Sequence, residues 1–267
     1  MARDRADHRR LDVVAALGKA LGGLPAAWAG AWGVLVFASA LVVAPVFVPV
    51  EGWMGWAHTA LLALTGLSAW GALTRIALDR RLGLGGGGLQ FGKAELRIAA
   101  GLILNLLLLG LIGGVLTLLV LAVFGLAGLD MKAVLARDWA AFEPRQMVVL
   151  ALTAFVALGL PALLVIRLSL FAPASVGRGQ TVALNSMGIA NGAFWPLLIL
   201  WLVIAVTAAV MPYAERAAWV AWPMSRLIAA FVIPWLWAPM AAGALADAYR
   251  QLEYWSPISA DTGAAAE

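Results

Sequence analysis

The sequence predicts an all-α polytopic membrane bundle, and three observations predict it. Six stretches, residues 20–50, 52–74, 98–129, 146–166, 179–214 and 227–246, carry no Asp, Glu, Lys or Arg, and each is at least 20 residues long. A helix needs about 20 apolar residues to cross a hydrocarbon core of about 30 Å. Hydrophobic residues make up 64% of the chain and charged ones 12%, against about 45–50% and about 25% in a soluble domain. Finally, the basic residues alternate in register with the apolar runs. With the N-terminus inside, 13 of the 18 Lys and Arg residues fall in inner segments and five in outer ones: Lys132, Arg137, Arg145, Arg216 and Arg226. That bias orients both termini toward the cytoplasm. The net charge of +4 is therefore a topology signal and not a nucleic-acid face.

The elements follow in order. Residues 1–10 form a basic tail with Arg3, Arg5, Arg9 and Arg10; the apolar run behind it is too long for a signal-peptide core of about 7–15 residues. Over 11–24, Leu11, Val14, Leu17, Leu21 and Leu24 share one helical face with Asp12 and Lys19 opposite, which predicts an interfacial amphipathic helix. The first span covers about 26–47, its outer end loosened by Pro45 and Pro49. Trp53 and Trp56 stand where an aromatic belt belongs. The second span covers about 54–74 and stops at Arg75, Asp79, Arg80 and Arg81. Gly83 and Gly85 to Gly88 follow. Without a preceding strand or a GKS or GKT ending they are read as a hinge and not a phosphate cradle.

The third span, about 98–124, carries Gly110 and Gly114 in a GxxxG arrangement, which predicts close helix packing, and a lone amide, Asn105, expected to hydrogen-bond a neighbouring helix. Residues 126–146 form the longest outer loop. The fourth span, about 147–169, contains Pro161, which predicts a kink. Residues 171–192 are too polar and too rich in Gly and Ser to span and are read as interfacial or re-entrant. The fifth span covers about 193–213. The sixth, about 224–248, contains Pro234 and Pro239 and is expected to bend or unwind. Residues 253–267 form a loose tail.

RIAL at 75–78 and RLSL at 167–170 close the second and fourth spans, and FGKAELR at 91–97 and MGIANGAFW at 187–195 lead into the next ones. This layout predicts three units, each an interfacial segment followed by a helical hairpin, as parallel repeats.

GALTRIAL, GLQFGKAELR, RLSLFAPASVGRGQ, NGAFWPLLIL and ALADAYRQL, in that order over residues 11–252, resemble bacterial membrane proteins of the YciC-like group, which are similar to the membrane domain of certain glycerophosphoryl diester phosphodiesterases. The best-matching positions are Arg75, Gly92, Glu95, Arg97, Arg167, Leu170, Pro173, Gly192, Phe194, Trp195 and Tyr249; NSMGIANG at 185–192 departs from the commoner pattern of that group. The resemblance implies an architecture and no mechanism, because the phosphodiesterase chemistry belongs to a separate soluble barrel.

No catalytic, cofactor or metal site is expected. There is no cysteine, and the two histidines, His8 and His58, lie too far apart for a metal site or a triad; His58 reads as an interfacial polar residue. Arg75, Glu95, Arg97, Arg167 and Asp247 are expected to form an inner charged collar in which Glu95 or Asp247 pairs with an arginine. That collar is a candidate site for anionic lipid. The expected function is non-enzymatic: a scaffold, accessory subunit or lipid-interacting module of a bacterial inner membrane, with lipids and other membrane subunits as partners. Fifteen Arg against three Lys point to a GC-rich bacterial genome. The alternative is a permease for a small apolar or amphiphilic molecule.

Overall fold

The computed structural model describes residues 11–48, 51–78, 86–216 and 222–253, and every regular element among them is helical. The two tails, His8, Gly83, Gly85, Pro49 and the charges at 79–81 lie outside the described residues. The helices are α1 (Val13–Gly22), α2 (Leu24–Phe47), α3 (Trp53–Ala77), α4 (Lys93–Ala127), α5 (Met131–Ala136), α6 (Pro144–Leu168), α7 (Phe171–Arg178), α8 (Ser186–Ile189), α9 (Phe194–Arg216), α10 (Trp222–Val232) and α11 (Ala238–Leu252), with a π-helical turn at Ile233–Trp237 joining the last two. Five rods are long and apolar enough to cross a membrane: α2, α3, α4, α6 and the joined α10–α11. In α9 the apolar stretch counted among the described residues is shorter, Phe194–Val210.

α2 and α3 form one hairpin and α4 and α6 another; α10 then packs on α2, and α11 on α3 and α1. The buried residues gather at one end. The larger core joins Leu78, Ile98, Ile166, Leu170, α7 and the buried face of α11 around Tyr249. A smaller one joins Ala31, Val34 and Leu35 of α2 to Ala72 and Leu73 of α3. Gly177 is obligatory in the first: a Cβ there would lie 2.6 Å from the Tyr249 ring. In α4, by contrast, no residue between Leu106 and Val123 is buried, and Leu107, Leu111 and Leu118 are 65%, 68% and 69% exposed. A bare leucine surface of this kind is one that water does not cover: it calls for lipid or a partner.

Prolines decide where the long rods need help. A proline inside a helix has no N–H, so the carbonyl four residues earlier loses its donor, and hydrocarbon offers no replacement. Pro45 frees the Leu41 carbonyl, which lies 2.8 Å from His58 Nε2 on α3. Pro234 frees the Ala230 carbonyl, to which Ser39 Oγ donates at 2.7 Å. Pro239 frees the Trp235 carbonyl, to which Trp28 Nε1 donates at 2.7 Å. The π-helical turn thus sits where two prolines weaken the ladder, and α2 supplies both missing donors. α6 runs through Pro161 as continuous α-helix.

α1 packs on α11 through its small residues. It buries Ala16 and Ala20 on α11, while Val14 and Leu21 face outward, because alanines allow the closer approach. Gly86–Gly88 is a packed turn and not a hinge. Gly87 sits at φ 63°, and a Cβ there would lie 2.8 Å from the Gly33 backbone nitrogen. Ser68 Oγ donates to the carbonyls of Gly88 and Gln90 at 3.2 and 2.9 Å. Nor do Gly110 and Gly114 mediate packing, since nothing approaches within 4 Å of where their Cβ atoms would be. Within the segment 171–192, α7 is buried from Ala172 to Gly177, and Ser175 Oγ accepts the Val182 N–H at 3.0 Å.

Trp28→Phe should lower stability by about 1–3 kcal/mol, because it orphans a carbonyl in an apolar setting. In a Pro239→Ala background, where the substituted alanine restores the helical N–H, the same change should cost less than half as much. Thermal unfolding of the four variants in detergent gives the coupling.

Candidate functional site

At the buried end three carboxylates each meet a basic side chain from another element. Glu95 lies in the first turn of α4, where its Oε2 accepts the Gly92 N–H at 2.9 Å, a capping interaction that aims the carboxylate back toward the helix start. Its Oε1 meets Arg75 Nη2, from the last turn of α3, at 2.6 Å. The Glu95 side chain is fully buried and that of Arg75 is 12% exposed. Gly71, one turn before Arg75, makes the space: a Cβ there would lie 2.5 Å from Glu95 Oε1. The RIAL and FGKAELR segments are thus the two sides of one ion pair.

Asp247 does not pair with an arginine. Lys19 Nζ of α1 meets its Oδ1 at 2.9 Å, and Gln251 Nε2 donates to its Oδ2 at 2.7 Å. Gln251 Oε1 in turn accepts the Asp12 N–H at 2.7 Å, so α1 is tied to α11 at both ends. A small cavity of about 200 Å³ beside this pair is bounded by Lys19, Asp247 and Arg250. A third pair, Arg178 with Glu253 at 2.5 Å, joins the end of α7 to the end of α11. Arg97 lies beside Gly179, with Nη1 3.6 Å from where a Cβ on that glycine would sit. Arg167 closes α6, and its buried Nε has no hydrogen-bond partner.

A larger concavity lies elsewhere. A cavity of about 570 Å³ lies between α3, α4, α6, α9 and the π-helical turn, lined by Trp70, Trp201, Trp237, Leu102, Leu106 and Phe171 among others. No charged side chain lines it. The rings of Trp70 and Trp237 stand 6.5 Å apart, and Trp237 Nε1 is anchored by donating to the Ile204 carbonyl at 2.9 Å. Asn105 faces this space. It is 4% exposed, and neither Oδ1 nor Nδ2 has a hydrogen-bond partner. The interhelical bond expected of it is not made.

Three participants escaped the sequence reading: Lys19 as the partner of Asp247, Gly71 as the space for Glu95, and the tryptophans of the cavity. Lys19 carried a signal in its place opposite the apolar face, and Gly71 in its position one turn before Arg75. Among the described residues no group of three or more His, Asp or Glu side chains could hold a metal ion. Comparison with family models, with curated proteins and with solved structures yields no match.

Glu95→Gln leaves the Arg75 charge buried without its counterion and should cost about 3–5 kcal/mol, whereas Arg75→Met with Glu95→Leu should recover most of that loss. Midpoints of thermal unfolding in the same detergent test the comparison.

Proposed function

We propose that this chain is a six-span protein of a bacterial inner membrane, with both termini in the cytoplasm and no catalytic activity of its own. It acts as a scaffold, an accessory subunit or a lipid-interacting module. α9, 23 residues long, is the sixth crossing. The three helical pairs are parallel units, and the resemblance to the YciC-like group belongs to the same proposal.

The observation that carries this reading is how the charged groups are used. Arg75 with Glu95, Lys19 with Asp247 and Arg178 with Glu253 each join two helices. A buried carboxylate already held by an arginine and by a backbone N–H is poorly placed to move protons. The same argument weakens the anionic-lipid role for Arg75, whose charge is answered by Glu95. Contact with lipid falls instead to the bare apolar faces and to the open cavity. One observation favours the permease reading: the cavity borders the π-helical turn, a weak point in the last rod. Uptake of a fluorescent amphiphile into vesicles containing the purified chain, above that of empty vesicles, would support it.

The chain contains no cysteine, so introduced thiols report cleanly on sidedness. An impermeant maleimide added to spheroplasts should label Leu135→Cys and leave Ala2→Cys and Ala266→Cys unlabelled until the membrane is opened. Labelling of either terminal cysteine in sealed spheroplasts would refute the orientation.

A further inference from the structure

We propose that the cavity around Asn105 binds one uncharged, hydroxyl-bearing amphiphile of the dialkylglycerol class, with the hydroxyl on the Asn105 amide and the chains against Trp70, Trp201 and Trp237. The inference rests on the reading of the chain as a membrane-embedded, lipid-interacting protein and adds the site and the ligand chemistry.

Three carbonyls inside the long rods, those freed by Pro45, Pro234 and Pro239, are each met by a side chain of a neighbouring helix. Asn105 is different, for a donor and an acceptor are buried together and neither is met. An amide in that position is costly unless something enters to bond it. A water molecule is a poor candidate, since buried water typically makes about three hydrogen bonds and the lining beyond Asn105 is almost wholly apolar. Ser169, the hydroxyl of the lining, already donates to the Ile166 carbonyl.

The shape and chemistry of the cavity restrict the occupant. Its volume of about 570 Å³ falls in the range of about 300–1,000 Å³ typical of small-molecule sites. With no charged side chain in the lining, an inserted ionic group would go unpaired. A hydroxyl both accepts from Nδ2 and donates to Oδ1, whereas an ester or ether oxygen accepts only and leaves Oδ1 unmet. Leu102 and Leu106, one turn apart on α4 beside Asn105, line the cavity and are exposed. The proposed entrance is lateral, past these leucines, and the aromatic walls present flat apolar faces to alkyl chains.

The test is a lipid titration of the full chain in detergent, read by native mass spectrometry. The probes are dioleylglycerol, its O-methyl ether and phosphatidylglycerol with the same chains. The wild type should take up one dioleylglycerol and bind the methyl ether and the phospholipid about tenfold more weakly, the loss expected for a buried hydrogen bond. Asn105→Leu should lose the same factor for dioleylglycerol and no longer distinguish it from the ether. Ala208→Phe, which fills the cavity and leaves Asn105 in place, should abolish one-to-one binding. Equal affinity of the wild type for dioleylglycerol and the ether, or unchanged binding in both variants, would overturn the proposal. If that happens while the maleimide pattern holds, the six-span reading survives and the site alone is rejected.

Discussion

Hydrocarbon supplies no hydrogen bonds, and the rest of this structure depends on that constraint. A long helix in such a solvent satisfies its own backbone except where a proline removes a donor. Here Leu41, Ala230 and Trp235 carry the resulting orphan carbonyls inside long rods, and His58, Ser39 and Trp28 answer them. Two of the three answers come from α2 and go to the last rod, so they also determine which helices are neighbours. Trp235 Nε1 completes the set by donating to Ser39 Oγ at 3.0 Å. The side chains that repair the ladder are the ones that assemble the bundle.

The charged residues follow the same logic at the buried end. An ion in a low-dielectric setting is tolerated when its partner is close and its remaining valences are met. Glu95 has both an arginine and a backbone N–H, and Asp247 has both a lysine and an amide. Each pair links separate helices, and Lys19 and Asp247 are 228 positions apart. In the apolar cavity, by contrast, neither the donor nor the acceptor of the Asn105 amide is met. This contrast separates a structural use of polarity, at the ends and the prolines, from a site built to receive a molecule.

The all-helical class and the apolar rods were legible because they depend on short-range properties: long runs without charge, and ends marked by Arg75, Arg97, Arg145 and Arg167. The weak place in the last rod was legible too, since Pro234 and Pro239 announce it. The pairing of faces was not. Gly110 and Gly114 have the spacing of a packing motif, but spacing does not name a partner, and in this chain none comes near. Nor did the apolar stripe of α1 name the residues that pack: Ala16 and Ala20 are buried, and Val14 and Leu21 are exposed. Proline positions tell which carbonyl is freed but not that Trp28, 207 positions away from Trp235, is the donor. The emptiness beside Asn105 required the arrangement of five elements in space.

The central claim is that lipid, not water or protein, covers the leucine face of α4 between Leu106 and Val123. Nitroxide labels placed singly at residues 107, 111 and 118 of the chain reconstituted in nanodiscs test it directly, through collision with oxygen and with a water-soluble nickel chelate. High oxygen and low nickel accessibility at all three positions is the expected result. Nickel accessibility equal to that of a label in the outer loop at residue 135 would contradict it.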